Sequence, residues 1–175
     1  DFLKQQMMNK DSSGGMIECV VSGMPTGIGE PVFDKLDANL AKALMSIGAV
    51  KGFEIGSGFL SSSMSGSENN DCFQYNTDGT LSKQTNHAGG ILGGISDGSD
   101  IILRASIKPT PSISKPQETV NKSKENVQIS VKGRHDPIIV PRAVVVVQSM
   151  VAITLVDMLF LSMTSRMDKI TEFFK

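Results

Sequence analysis

Ala143-Val144-Val145-Val146-Val147-Gln148-Ser149-Met150-Val151-Ala152-Ile153-Thr154-Leu155-Val156-Asp157-Met158-Leu159-Phe160-Leu161-Ser162-Met163 is the stretch on which the fold turns. It is apolar almost throughout, and its length would cross a bilayer. Gln148, Asp157 and the run of valines at its start favour a different placement: a buried helix, apolar nearly all round, in a soluble core. A core helix needs sheet or helix to cover it, and the upstream sequence supplies both. Residues 16–21 (Met-Ile-Glu-Cys-Val-Val) are β-rich and follow Gly14-Gly15. After the loop Gly23-Met24-Pro25-Thr26-Gly27-Ile28-Gly29, a helix is expected from Glu30-Pro31, with proline tolerated in the first turn. Phe33, Leu36, Leu40, Ala43 and Leu44 then share one face at spacings of three and four. Residues 49–55 read as a second strand, so 14–55 form a β-α-β unit.

Composition bounds the rest. The 175 residues are enough for one domain with a real core, and 39% apolar with 20% charged is a globular balance. Net charge is −1, yet between Arg104 and Arg142 eight Lys/Arg face three Asp/Glu, a local +5 that leaves −6 for the remainder. A basic segment in an acidic chain suits a small anionic ligand better than a polyanion surface. With no Trp and one Tyr, base stacking on nucleic acid is unsupported. Cys19 and Cys72 show no metal-site spacing and no disulfide framework, which fits a reducing compartment. Two histidines, His87 and His135, exclude a His-rich metal site. The start, Asp1-Phe2-Leu3-Lys4-Gln5-Gln6-Met7-Met8, resembles the middle of a helix without an initiator Met or a signal-peptide core, and reads as part of a longer chain.

Between the second strand and the long helix the chain is punctuated. Residues 56–84, rich in Ser, Gly, Asn and Asp, are expected to be a long polar loop, either disordered or facing a substrate. Residues 90–96 and 100–107 flank Asp97-Gly98-Ser99, so a hairpin is expected there. A short strand at 127–131 precedes Gly133-Arg134-His135-Asp136-Pro137.

Three segments have chemical potential. The glycines of 89–94 would let backbone N–H groups approach phosphate or flavin oxygens, although glycines at a strand bend are as readily structural. The segment is neither a GxxxxGK[ST] loop nor a GxGxxG opening a helix, so ATP and Rossmann nicotinamide sites are unsupported. Lys108-Pro109-Thr110-Pro111-Ser112 offers a cation and two hydroxyls on a proline-stiffened chain: a phosphate cradle, or a rigid strand-exit turn. Arg134 and Asp136 share a face of an extended chain. They form either a structural ion pair or an anion clamp beside an acid/base group.

In this order and spacing, these segments resemble the carboxy-terminal half of the chorismate synthase family. The resemblance extends through Gly29-Glu30-Pro31-Val32-Phe33-Asp34-Lys35-Leu36, Ser46-Ile47-Gly48-Ala49-Val50-Lys51-Gly52-Phe53-Glu54-Ile55-Gly56-Ser57-Gly58-Phe59 and Pro141-Arg142-Ala143-Val144, covering about residues 14–161. It implies the α+β class: a β-α-β sandwich with an antiparallel sheet packed on long central helices. It also implies a cytoplasmic homotetramer that converts 5-enolpyruvylshikimate 3-phosphate to chorismate and phosphate with reduced FMN. NADPH is a candidate reductant. Neither nucleic acid nor membrane is implied as a partner. Carried over by motif, the cofactor contacts are Gly48, Ala49, Gly93, Lys108, Pro109, Thr110, Pro111, Ser112 and Arg134. Arg134 also faces substrate, and Asp136 assists proton transfer at the flavin N5.

The chain departs from the pattern at Ile138, where the family usually has Cys, at Pro111 for Ser, and at Gly48 for Asn or Pro. The family's amino-terminal half, with two catalytic histidines and most substrate-binding arginines, is not in this sequence, and His87 and His135 do not replace them. The alternatives are a non-catalytic remnant serving as an assembly module, or a flavin-binding protein of another function.

Overall fold

A computed structural model describes residues 1–133 and 135–175, together with every side chain among them except that of Lys169. In chain order the elements are α1 (Phe2–Met8), β1 (Gly15–Val21), α2 (Leu36–Met45), β2 (Val50–Ile55), a 3-10 turn (Gly58–Ser63) and α3 (Gly66–Asn69). They continue with β3 (Phe73–Tyr75), β4 (Leu81–Lys83), β5 (Ile91–Leu92), β6 (Ile95–Ser96), β7 (Ile101–Ile107), β8 (Gln117–Val120) and β9 (Asn126–Ile129). Two helices close the chain, α4 (Val140–Met163) and α5 (Met167–Phe173).

Strand β7 organises the centre. It lies between β1 and β2 and is antiparallel to both, with Ala105 opposite Ile17 on one side and Phe53 on the other. Its side chains alternate as a half-buried strand requires: Ile101, Leu103, Ala105 and Ile107 are buried, while Ile102, Arg104 and Ser106 face outward. Against the buried face lie Leu36, Leu40 and Leu44 of α2, one per turn, and Val147, Val151, Leu155 and Met158 of α4. The architecture is an antiparallel sheet with helices on one face, the α+β class anticipated above.

Several expectations need correction. The β1-α2-β2 unit exists, but β7 is inserted between its two parallel strands, because the antiparallel ladder on both sides uses the hydrogen-bonding edges they would otherwise share. Helix α2 begins at Leu36 and not near residue 30. Glu30 and Asp34 exchange backbone hydrogen bonds in a turn that leaves Phe33 91% exposed, and the first-turn N–H of Leu36 is taken by the Gly94 carbonyl. The hairpin turns at Gly93-Gly94, both at positive φ (61° and 89°), which is the backbone a tight two-residue turn needs. Asp97-Gly98-Ser99 instead connects β6 to β7, and β7 pairs elsewhere.

Residues 56–84 are not one loop: they hold the 3-10 turn, α3 with a Ser65/Glu68 capping box, and the β3–β4 hairpin. A further hairpin, β8–β9, precedes the Gly133 corner. Helix α4 is buried on one face only within this chain. It is long and apolar enough to cross a membrane by length and composition, with 22% of its most apolar window buried. Its valine-leucine-methionine stripe is seated in the core against α2 and β1. Val145, Ile153, Val156 and Phe160 are among its exposed residues.

Candidate functional site

The C-terminal end of β7 delivers its next residues to the turn between α2 and β2. Ala49 takes a left-handed backbone (φ 73°) to reverse the chain, and its carbonyl accepts the Lys108 N–H at 2.9 Å. Gly48, Ala49 and Lys108 are therefore neighbours. The Lys108 side chain is exposed, and no carboxylate of the described residues forms an ion pair with it. Thr110 Oγ1 is buried and without a hydrogen-bond partner among the described residues. The carbonyl of Pro111 accepts from Ile113 N (3.0 Å) and Gln117 Nε2 (3.2 Å), which fixes the exit of the loop into β8. Pro109 and Ser112 complete it.

A segment not anticipated from sequence joins this loop. Residues 11–14, just ahead of β1, run between it and the Gly133 corner. Ser12 Oγ donates to Thr110 O at 2.6 Å, and Ser13 N donates to Pro137 O at 2.8 Å. Ser13 Oγ is a second buried hydroxyl with no partner among the described residues. Gly14 has to be glycine, since a Cβ there would overlap the Ile107 carbonyl oxygen and press on Pro109 Cδ at 3.1 Å. The only signal in the sequence was the Ser-Ser-Gly-Gly run itself, which reads equally as a linker.

At the corner, Arg134 lies outside the described residues. Asp136 is held by two contacts of 2.9 Å to the Arg142 guanidinium, on the first turn of α4. Arg142 was not picked out by the alternation argument because the chain turns at Pro137 before reaching it. His135 Nε2 lies 3.1 Å from Val131 O, a contact that a protonated Nε2 would donate. His135 and Asp136 line a cleft of about 240 Å³ with Lys10, Asp11, Ser114 and Gly133. Asp11 is paired with Lys115 (3.3 Å), and its carboxyl is held below the ordinary range by the Ser12 N–H first and then by Lys115.

Gly93 lies elsewhere. It occupies the β5–β6 turn beside the start of β7, whereas Lys108 leaves the other end, about 20 Å of strand away at 3.4 Å per residue. This chain does not bring Gly93 to the other expected cofactor contacts. Its glycine-rich segment is framed instead by a polar clasp. Lys83 Nζ is 2.7 Å from Asp97, 3.5 Å from Asp71 and 3.1 Å from Asn86 Oδ1, with all three charged side chains at most 8% exposed. Asp71 also accepts from His87 N, Ala88 N and Thr85 Oγ1, and Asn86 Oδ1 accepts from Gly90 N. Burial pushes the Asp71 carboxyl up, but the Ala88, Thr85 and His87 hydrogen bonds and the Lys83 charge outweigh it and hold it at about 2. The signal for this clasp was absent from local pattern, since Asp71, Lys83 and Asp97 have no helical or strand spacing.

Fold and site together define an α+β protein with an exposed lysine on a proline-stiffened strand exit and the Asp136–Arg142 pair at the corner joined to it through residues 11–14. Residues 1–160 match the family profile of chorismate synthase, and the chain belongs to the chorismate synthase family. It is 67% identical over 175 residues to the chorismate synthase of Lachnoclostridium phytofermentans, covering all of this chain and 48% of that one. It is 54% identical over 160 residues to the chorismate synthase of Methanocaldococcus jannaschii, covering 91% of this chain and 42% of that one. A crystal structure of chorismate synthase superposes with a TM-score of 0.75 at 28% identity, over 99% of this chain and 45% of that one. The chain spans about half the length of the curated relatives it matches.

Proposed function

We propose that this chain is the carboxy-terminal half of an FMN-dependent lyase. The reaction is the 1,4-anti elimination of phosphate from 5-enolpyruvylshikimate 3-phosphate to give chorismate, a step in aromatic amino acid biosynthesis. The observation that carries the reading is the meeting of the Ala49 turn with the Lys108 loop. Among the described residues, that meeting leaves an exposed cation without a carboxylate and a buried hydroxyl, Thr110 Oγ1, without a partner. A buried hydroxyl left without a partner is uncommon in a loop built only for stability, and the exposed Lys108 ammonium on the same loop is available to an anionic ligand.

These residues fit FMN. Gly48, Ala49, Lys108, Pro109, Thr110, Pro111 and Ser112 would hold it, with Gly93 and Arg134 as further contacts, Gly93 requiring a surface beyond this chain's own Lys108 loop. When bound, reduced FMN supplies an electron transiently to the departure of phosphate, so the reaction needs it without net redox change. Lys108 offsets negative charge at the cofactor or substrate, where a charge-assisted hydrogen bond is at its strongest. Arg134 would lie between cofactor and substrate. Asp136 would hold a proton at the flavin N5, and Arg142 orients that carboxylate. The same reading places the protein in the cytoplasm as a homotetramer, with NADPH a candidate source of reducing equivalents. The test is made in the full-length protein: flavin fluorescence should report FMN binding that tightens with substrate, and phosphate should be released only with the reduced cofactor. Failure of both overturns the proposal.

A further inference from the structure

Two loops that the proposed function treats as one site are separated in sequence by an exposed hairpin, and their relative position has to be set by something else. The Lys108 loop enters β8; β9 leaves toward the Gly133 corner. The neck of the hairpin is tied by Val131 N to Ile113 O (3.3 Å) and Ser130 Oγ to Ser114 O (2.7 Å). Beyond that neck, Thr110 and Pro137 lie outside the strands and helices. Residues 11–14 link them. Consecutive residues of the strap, Ser12 and Ser13, take the carbonyls of Thr110 and Pro137 respectively. The strap is fixed at one side by Lys115, whose backbone N–H donates to Lys10 O (3.2 Å) and whose ammonium pairs with Asp11. At the other it is fixed by Gly14, seated where no side chain fits, and by entry into the β1 ladder at Gly15 opposite Ile107.

We infer that Ser12 is a positioning residue: its hydroxyl locks the Lys108–Thr110 loop onto the same strap that holds the Asp136 corner, and so sets the distance between the ligand-binding cation and the proton-holding carboxylate. The inference rests on the reading of the two loops as one site. Its physical content is separate, since the lock exists without any ligand. The effect of Ser12 passes through Thr110, whose carbonyl its hydroxyl holds. Catalysis depends on such spacing, because a displacement near 1 Å can cost up to about a hundredfold in rate.

The experiment uses the full-length protein with Ser12→Ala and Ser12→Thr. In the ligand-free state, hydrogen exchange of peptides covering 108–112 and 133–137 should quicken about three- to tenfold in Ser12→Ala, the factor one net hydrogen bond is worth. Exchange at 89–94, at the far end of β7, should not change. Turnover should fall at least as much, and Ser12→Thr, which keeps the hydroxyl, should restore both. Unchanged exchange at the two loops overturns the inference. So does quickening spread evenly over the sheet, or quickened loops with parental turnover. Should the parent protein bind no FMN and release no phosphate, the proposed function falls, and the exchange measurement still decides the lock.

Discussion

Lys108 has no carboxylate partner among the described residues, while Arg104, four residues earlier and on β7, is paired with Glu18 at 2.8 Å. The difference decides what each does. Lys108→Ala removes no internal ion pair, so its effect falls on the ligand: FMN binding should weaken by about 1.5–3 kcal/mol, the worth of a hydrogen bond to a charged group. Fluorescence titration with substrate present measures it, and an unchanged dissociation constant would leave 108–112 as a strand-exit turn. Asp136→Ala should lower turnover at least about a hundredfold, the low end for a proton-transfer group, with FMN still bound; turnover within threefold of the parent counts against the role. At this scale the sequence was legible wherever residue type and backbone constraint coincide. The lysine before two prolines and the carboxylate before Pro137 both stood out. Ser12, Ser13 and Arg142 did not, because their roles come from contacts up to 98 residues away, to which serine composition gives no clue.

Elements built on apolar periodicity were legible, and those built on polar contacts were not. The leucines of α2 and the alternation around β7 report burial directly, so the helix and its two flanking strands could be placed to within a few residues at most ends. The short strands β3 and β4 bury no residue, β5 and β6 bury only Ile91 and Ser96, and beside them lies the Asp71–Lys83–Asp97 clasp, whose members are up to 26 residues apart, Asp71 to Asp97. That clasp predicts an acid sensitivity with a definite sign. Asp71 sits at about 2 in the folded chain against 3.8 ordinarily, so the unfolded state binds its proton first as pH falls. The contribution is complete above about pH 4 and is lost as pH drops from there through 2, about 2 kcal/mol in all. Urea unfolding at steps between pH 6 and 2 should show this loss, and Asp71→Asn should flatten that part of the profile while lowering stability at neutral pH. A parental slope retained in the variant would assign the acid sensitivity to other carboxylates.

The whole molecule shows an imbalance between its two sides. One face of α4 buries Val147, Val151, Leu155 and Met158 at 6% exposure or less, and away from it Ile153 and Phe160 are each 63% exposed, with Val145 at 61%. The apparent contradiction with a helix apolar all round is resolved by scale: composition describes the surroundings of the complete fold, whereas this chain supplies α2 and the sheet on one side only. Its relatives are about twice as long, and the resemblance puts the catalytic histidines and most substrate-binding arginines in the remaining part. Two consequences follow for residues 1–175 expressed alone. Apolar area of this extent left in water favours association, so sedimentation should find oligomers that Ile153→Glu with Phe160→Glu disperses, without loss of helix content. Phosphate release from 5-enolpyruvylshikimate 3-phosphate should be undetectable even with FMN and a reductant, because the local +5 segment can attract the anion but cannot assemble acid, base and anion clamps within hydrogen-bond reach. Release near the rate of a full-length relative would mean that the Lys108 loop and the Asp136 corner form a complete site by themselves, and the division of labour between the halves would have to be abandoned.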